Sequence, residues 1–395
     1  MSDIARSNRY HIGIYGRRNA GKSSLLNAIA GQDISIVSST AGTTTDTVWK
    51  NIELPGIGAA VLADTAGYDD CGALGEMRVK RARESVARVD LALVLLDGAP
   101  GDISIEMEWS RLFSSFNTPV IYLLGKSDVD DTAQNCEAWE KALSVEVLKV
   151  SSRSGDGIDR LLASMAAIYK SGDNLEDITY SLVKRGDVVV LVMPQDAQAP
   201  HGRLIQPQVQ TLRNLLDKHC LSLCCTPEEL PRMLDMLKSP PALIITDSQV
   251  FAEVHKLTPP ETLLTSFSIL MARHKGDIDA FREGAQLLLN MPENGRILIA
   301  EACSHIPKNE DIGRVKLPRL LRRKLGDNLQ VDIVGGNDFP EDLTPYNLII
   351  HCGACMFTRR HVLNRLRMAK AQGVPMTNYG IAIAALTGIL DKVEV

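Results

Sequence analysis

Gly16-Arg17-Arg18-Asn19-Ala20-Gly21-Lys22-Ser23 has the GxxxxGK[ST] spacing, with Ser24 next in line. It stands between an apolar run at 11–15 and a helix-like stretch at 22–30. In that setting glycines let backbone N–H groups curl around phosphate oxygens, and the helix adds its positive end. Gly16 and Gly21 shape the loop, Lys22 reaches the β- and γ-phosphates, and Ser23 ligates Mg²⁺. Asp64-Thr65-Ala66-Gly67 follows 42 residues after Lys22, at the end of a second apolar run. There a carboxylate holds the Mg²⁺ shell and Gly67 gives its N–H to the γ-phosphate. Thr43-Thr44-Thr45-Asp46 lies between the two, and Thr44 is the hydroxyl chosen to complete the Mg²⁺ shell. Gly125-Lys126-Ser127-Asp128 closes a third run. The Asp128 carboxylate can accept from guanine N1–H and its exocyclic amine, a donor pair adenine lacks. Ser151 and Ser152, after the next strand, support the base.

A second constellation lies near the C-terminus. Cys303-x-His305 is followed, after 45 intervening residues, by His351-Cys352-x-x-Cys355. The two halves end different expected strands. In a parallel sheet such ends share one edge, so Cys303 can meet the Cys352/Cys355 pair. A helix expected at 359–371, with Thr358 as its N-cap, would favour anionic thiolates. Three soft thiolates suit zinc or an iron–sulfur cluster. Zinc would be closed by a histidine. A 4Fe–4S cubane would leave one iron to a histidine, to water or to an incoming ligand; of His351 and His305, His351 is the expected ligand.

Residues 11–170 resemble the bacterial Era- and TrmE-type small GTPases in the order and spacing of their loops. Their base-reading motif is Asn-Lys-x-Asp, whereas this chain has Gly125 in the first place. That removes a side-chain contact to the base and to the phosphate loop. Tyr68 stands where Ras-like enzymes carry a water-orienting Gln. The resemblance implies that K⁺, marked by Asn19 in the phosphate loop, supplies a fixed positive charge in place of an arginine finger.

The combination of a GTPase unit, a middle unit and a terminal CxH…HCxxC unit resembles the HydF family, the maturation GTPases of FeFe-hydrogenase. That resemblance spans essentially the whole chain. It implies a homodimer formed through the middle unit and a 4Fe–4S cluster on Cys303, Cys352 and Cys355. It also implies a scaffold that receives a transient diiron precursor from two radical-enzyme maturases and delivers it to the apo-hydrogenase. GTP, Mg²⁺ and K⁺ would serve the N-terminal site.

The elements that must position these residues alternate. Apolar runs at 11–15, 59–63, 91–96, 120–124 and 145–150 read as buried strands, with helical patterns at 22–30, 75–88, 106–113 and 158–168. Such alternation predicts an α/β fold with a mostly parallel sheet covered on both faces. A polar stretch at 171–177 reads as a linker. A small middle α/β unit has strands at 188–193 and 242–246 and helices at 207–219 and 228–237. From about 265 a third α/β unit with a parallel sheet resumes: helices at 278–289, 314–325 and 359–371, and strands at 296–301, 329–334, 347–351 and 375–378. The expected domains are thus 1–172 (P-loop GTPase), 173–264 (dimerisation) and 265–395 (cluster binding).

Composition narrows the partners. The chain has 395 residues, 45% hydrophobic and 23% charged, enough for more than one core. Net charge is −5, aromatics are 5%, and the 17 basic against 14 acidic residues of 270–395 are a small excess. These argue against a nucleic-acid binder, and hence against an RNA-linked GTPase of ribosome or tRNA maturation. A zinc-stabilised regulatory GTPase is the other alternative. No apolar stretch reaches 18 residues and the first ten residues are polar, so neither a membrane span nor a signal peptide is expected and a cytoplasmic protein is. His219-Cys220 and Cys224-Cys225 read as buried structural residues, Cys71 as an ordinary loop residue, and Arg322-Arg323-Lys324 and Arg359-Arg360 as solvated helix faces.

Overall fold

The computed structural model describes residues 9–31, 48–64, 85–129, 132–171, 177–195, 204–302, 312–336, 338–354 and 357–390. The chain divides into two compact units, 1–174 and 175–395.

The first unit is built on a six-stranded sheet in the order β2-β3-β1-β4-β5-β6. Its strands are β1 (Tyr10–Gly16), β2 (Val48–Leu54), β3 (Gly58–Asp64), β4 (Leu91–Leu96), β5 (Val120–Leu124) and β6 (Val147–Lys149). All neighbours run parallel except β2, which is antiparallel to β3. β1 and β4 are buried along their whole length, because helices cover both faces. One core lies between the sheet and α1 (Lys22–Ala30) and α4 (Ile158–Ser171). The other lies under α2 (Ser104–Ser115) and α3 (Thr132–Leu143). β1 pairs with β3 on one side and β4 on the other. The chain therefore reverses direction of winding at the carboxyl end of β1, where ligands bind in such sheets.

The second unit holds two four-stranded, all-parallel sheets, ordered β10-β9-β7-β8 and β12-β11-β13-β14. The first contains β7 (Val188–Val192), β8 (Leu221–Cys225), β9 (Leu243–Thr246) and β10 (Leu263–Ser266). The second contains β11 (Arg296–Ala300), β12 (Gln330–Val334), β13 (Leu348–His351) and β14 (Met376–Asn378). Helices α5 (Gln206–Asp217), α6 (Leu230–Asp235), α7 (Phe251–Leu257), α8 (Phe267–Lys275), α9 (Ile278–Leu289), α10 (Leu317–Leu325), α11 (Arg359–Ala371) and α12 (Tyr379–Leu386) surround them. A single core runs from Val190, Ile244 and Leu264 through Ile269 and Phe281 to Leu298, Ile349 and Ile381. The two sheets therefore share one apolar interior.

Several elements lie outside the expected list. The segment Leu221–Cys225 is an edge strand, not a connection: Leu221 is 61% exposed and Cys224 is exposed, while Cys220 and Cys225 are buried. Alternation with cysteine and serine hid its period. α12, apolar on every side, carries no 3.6-residue pattern, and all but two of its residues are buried. The segment expected as one helix from 314 begins as a π-helical turn at Ile312–Lys316 and becomes α-helical at Leu317, with Pro318 in the first turn.

Candidate functional site

The phosphate-loop residues lie at the carboxyl end of β1. Gly16 is pressed against β4: a Cβ there would fall 2.7 Å from the Leu95 carbonyl oxygen, so no side chain fits. Asn19 and Gly21 adopt left-handed conformations, φ 60° and 99°. For Asn19 that is strain a short polar side chain tolerates. Gly21 sits at the N-terminus of α1, where no side chain caps the helix. The positive end of the helix dipole is thereby presented at the loop. Lys22 Nζ donates to the carbonyls of Gly16 and Arg17, each at 2.9 Å, so the ammonium is held over the loop. Ser23 is half-buried and Ser24 exposed in the first turn.

Arg17 anchors the loop from outside. Its guanidinium spans both oxygens of Glu106 on α2, at 2.7 and 2.8 Å, and also donates to the Asp102 carbonyl. Glu106 is 2% exposed; burying it is tolerable because the fork pairs it. This clamp was invisible in the sequence, where Glu106 reads as an ordinary polar helix residue.

The loops after β5 and β6 meet. Ser151 is fully buried. Its Oγ donates to Asp128 Oδ1 at 2.7 Å and accepts from the Ser154 N–H at 3.1 Å. That hydrogen bond holds the exposed Asp128 carboxyl below the usual carboxylate range. Ser152 is half-buried beside it. Lys126 has φ 58°, and its Nζ donates to Asp97 Oδ2 at 2.7 Å. A Cβ at Gly125 would lie 3.2 Å from Leu95 Cδ1 and 3.6 Å from the Ala20 carbonyl oxygen of the phosphate loop. Thr44 and Gly67, and the side chain of Asp64, lie outside the described residues. The backbone of Asp64 ends β3, next to β1.

In the second unit, β11 pairs with β12 on one side and β13 on the other. The carboxyl ends of β11 and β13 thus flank a reversal of winding, and Cys352 sits there. Its Sγ accepts from the N–H of Ala302 at 3.1 Å and of Ala354 at 3.4 Å. These are the residues directly before Cys303 and Cys355, which, like His305, lie outside the described residues. Backbone donors aimed at a sulfur favour its thiolate, and the backbone entering each of the other two cysteines converges on this one. Such a donor set fits a thiolate-held metal centre. Among the described residues no group of three metal-binding side chains occurs. Ala354 itself is left-handed, φ 49°. Its carbonyl and that of Phe357 accept from the ammonium of Lys275, at 2.9 and 3.0 Å. Lys275 ends α8 and is 5% exposed.

His351 is fully buried. Burial first, and then the Arg365 guanidinium, push its imidazole down to about 3, so the ring is neutral. Nδ1 lies 2.7 Å from the Cys352 carbonyl oxygen and donates to it; Nε2 then accepts from Arg365 Nη1 at 3.0 Å. Both ring nitrogens are thus taken within the protein. Arg359, expected on a solvated face, is half-buried instead. Its Nη1 donates to the carbonyls of Arg273, His274 and Gly276, capping the end of α8. Arg322, Arg323 and Lys324 are exposed. No helix among the described residues is long and apolar enough to cross a membrane.

Comparison with known proteins divides along the chain. Residues 11–126 match the family model of the 50S ribosome-binding GTPase. Residues 178–276 match the hydrogen maturase F dimerization domain, and 279–394 the hydrogen maturase F tetramerization domain. The tRNA modification GTPase MnmE of Paraburkholderia xenovorans is 34% identical over 154 residues, 39% of this chain and 33% of that protein. MnmE of Sinorhizobium medicae is 39% identical over 155 residues, 39% and 32% of the respective chains. The chain therefore spans about a third of the length of these relatives. Among solved structures, the G domain of the T. maritima FeoB iron transporter is 21% identical with a TM-score of 0.32, covering 41% of this chain and 99% of that one. The N-terminal unit is a P-loop GTPase domain. With two hydrogen maturase F domains following it, the chain belongs to the hydrogen maturase F family.

Proposed function

We propose that the chain is a GTP-hydrolysing scaffold of hydrogenase maturation. Residues 173–264 dimerise it, and 265–395 carry a 4Fe–4S cluster on Cys303, Cys352 and Cys355. The observation that supports the cluster reading most directly is the pair of N–H groups, from Ala302 and Ala354, that meet on Cys352 Sγ. Of the two histidines, we assign the fourth position to His305 and not to the expected His351, because both nitrogens of His351 have partners. A vacant or weakly held corner suits a carrier, which must release a diiron precursor to the apo-hydrogenase after receiving it from the radical-enzyme maturases. Self-association and a maturation role follow from the two matched domains.

At the nucleotide site, Lys22 exchanges the carbonyls of Gly16 and Arg17 for β- and γ-phosphate oxygens. Ser23 and Thr44 hold Mg²⁺, with Asp64 behind them, and Gly67 marks the γ-phosphate. Bound Mg²⁺ and K⁺ supply fixed positive charge to the phosphates; Asn19 is the K⁺ ligand on this chain. Asp128, aimed by Ser151, reads guanine. Hydrolysis is slow, because Tyr68 stands where Ras-like enzymes carry the Gln that orients the attacking water.

Anaerobic reconstitution of the full chain with iron and sulfide tests the scaffold. A brown protein with a cubane EPR signal that Cys352→Ser loses supports it; a colourless, zinc-loaded protein refutes it. Equal GTPase rates in Na⁺ and K⁺ buffers remove the potassium role.

A further inference from the structure

Arg365, on α11, is 4% exposed. A guanidinium so deep ordinarily faces a carboxylate, since an uncompensated buried charge is expensive. Here each partner is neutral. Nη1 donates to His351 Nε2 at 3.0 Å and Nη2 to the Gly336 carbonyl at 2.6 Å, and the group lies 4.6 Å over the Phe339 ring. Among the described residues it forms no ion pair with Asp or Glu. Through His351, whose Nδ1 meets the Cys352 carbonyl oxygen, it is two hydrogen bonds from the Cys352 backbone. The acidic group this route leads to is Cys352, which favours the charged guanidinium against its burial and whose sulfur already collects two N–H donors. A metal centre held by three thiolates is anionic, and taking up an electron makes it more so.

We propose that Arg365 is the internal counter-charge of the metal–thiolate centre at Cys352: a positioning residue that ligates nothing, fixes the His351 ring and raises the centre's reduction potential through its field. The inference rests on the cluster reading above. It predicts that removing the charge favours the oxidised centre, because the reduced form loses more of the attraction.

The test compares wild type, Arg365→Gln and Arg365→Lys as full chains, reconstituted anaerobically with iron and sulfide. Iron per chain is measured, and the midpoint potential is followed by EPR. Arg365→Gln is expected to disfavour reduction at least tenfold, about 59 mV more negative for one electron. Arg365→Lys, which keeps a cation, is expected to shift by less than half as much. If Arg365→Gln fails to fold by circular dichroism, Arg365→Met supplies the charge-free variant, since it keeps the packing on Phe339. An unchanged midpoint in the charge-free variant at equal iron content overturns the proposal, as does a lysine variant that falls equally far. A merely structural arginine would lower iron content and leave the potential alone. A wild type that forms no cluster at all overturns the underlying reading instead, and the two failures are told apart by the wild-type spectrum.

Discussion

Ser151 shows how one buried hydroxyl can set an exposed carboxylate. Its Oγ is anchored by the Ser154 N–H, so the hydrogen bond it offers Asp128 has a fixed direction. Ser151→Ala removes that anchor and leaves the exposed carboxylate without a fixed direction. GTP should bind roughly fivefold more weakly, with little change in unfolding temperature. Displacement of a fluorescent guanine nucleotide measures this, and an unaltered Kd counts against it. Gly125→Asn should act oppositely: its Cβ asks Leu95 to give only slightly, and its amide reaches toward the Ala20 carbonyl. His274 and His351 share the pH dependence at this scale, and His274 is the one that can be changed without touching the cysteine loop's own residues. Burial first, then Lys275 and Arg359, hold it at about 4 against an ordinary 6.5, while Asp177 pulls the other way. The unfolded chain takes up this proton below about pH 6.5, whereas the folded chain waits until about 4. The unfolded state thus binds more protons in that window, and stability falls as pH drops through it. The loss is on the order of 3 kcal/mol by pH 4. Urea unfolding at pH 7 and 4.5 should show it, and His274→Gln should shrink the difference to the part that the likewise depressed His351 contributes.

At the scale of elements, the decisive contact is the mutual clamp between α8 and the cysteine loop. Lys275, the last residue of α8, donates to two carbonyls of that loop, and Arg359, which opens α11, donates back to three carbonyls at the end of α8. Because α8 leaves directly from β10, with Ser266 as its N-cap, the middle sheet is tied to the cysteine loop by one rigid helix. Lys275→Met leaves two buried carbonyls without their donor and should cost about 2–3 kcal/mol. Reconstituted iron content should fall while GTPase activity stays at the wild-type level; retention of both iron and stability would refute the clamp. None of this could be read from sequence. The parallel strands could, since runs such as Leu91–Leu96 are apolar without interruption, and the phosphate loop could, since its spacing is fixed by phosphate geometry. Leu221–Cys225 and α12 escaped because one mixes exposed and buried residues at an edge and the other has no polar face. Lys275, Arg359 and Arg365 escaped because a cation on a helix reads as solvated. Only the fold shows that these three turn inward, toward carbonyls and a histidine.

For the whole molecule, the important fact is that, among the described residues, each unit has core clusters of its own. The residues under the six-stranded sheet form their own clusters within 10–169, and the large shared cluster of the second unit begins only at Val190. Each unit exceeds 150 residues, enough to bury a sufficient interior by itself. Unfolding should therefore take place in two steps instead of one. A nucleotide that binds only the native first unit stabilises that unit alone, by about 2.7 kcal/mol at a hundredfold excess over Kd. In scanning calorimetry of the full chain, Mg²⁺-GTP analogue should raise one transition by several degrees and leave the other unmoved. Residues 1–174 expressed alone should reproduce the first transition and its shift. If nucleotide moved both transitions together, the units would share cooperative structure. GTP binding would then have a direct energetic route to the cysteine loop. If it moved only one, any message from nucleotide to the cysteine loop would have to arise in the assembled or partner-bound state, where the dimerization and tetramerization domains act.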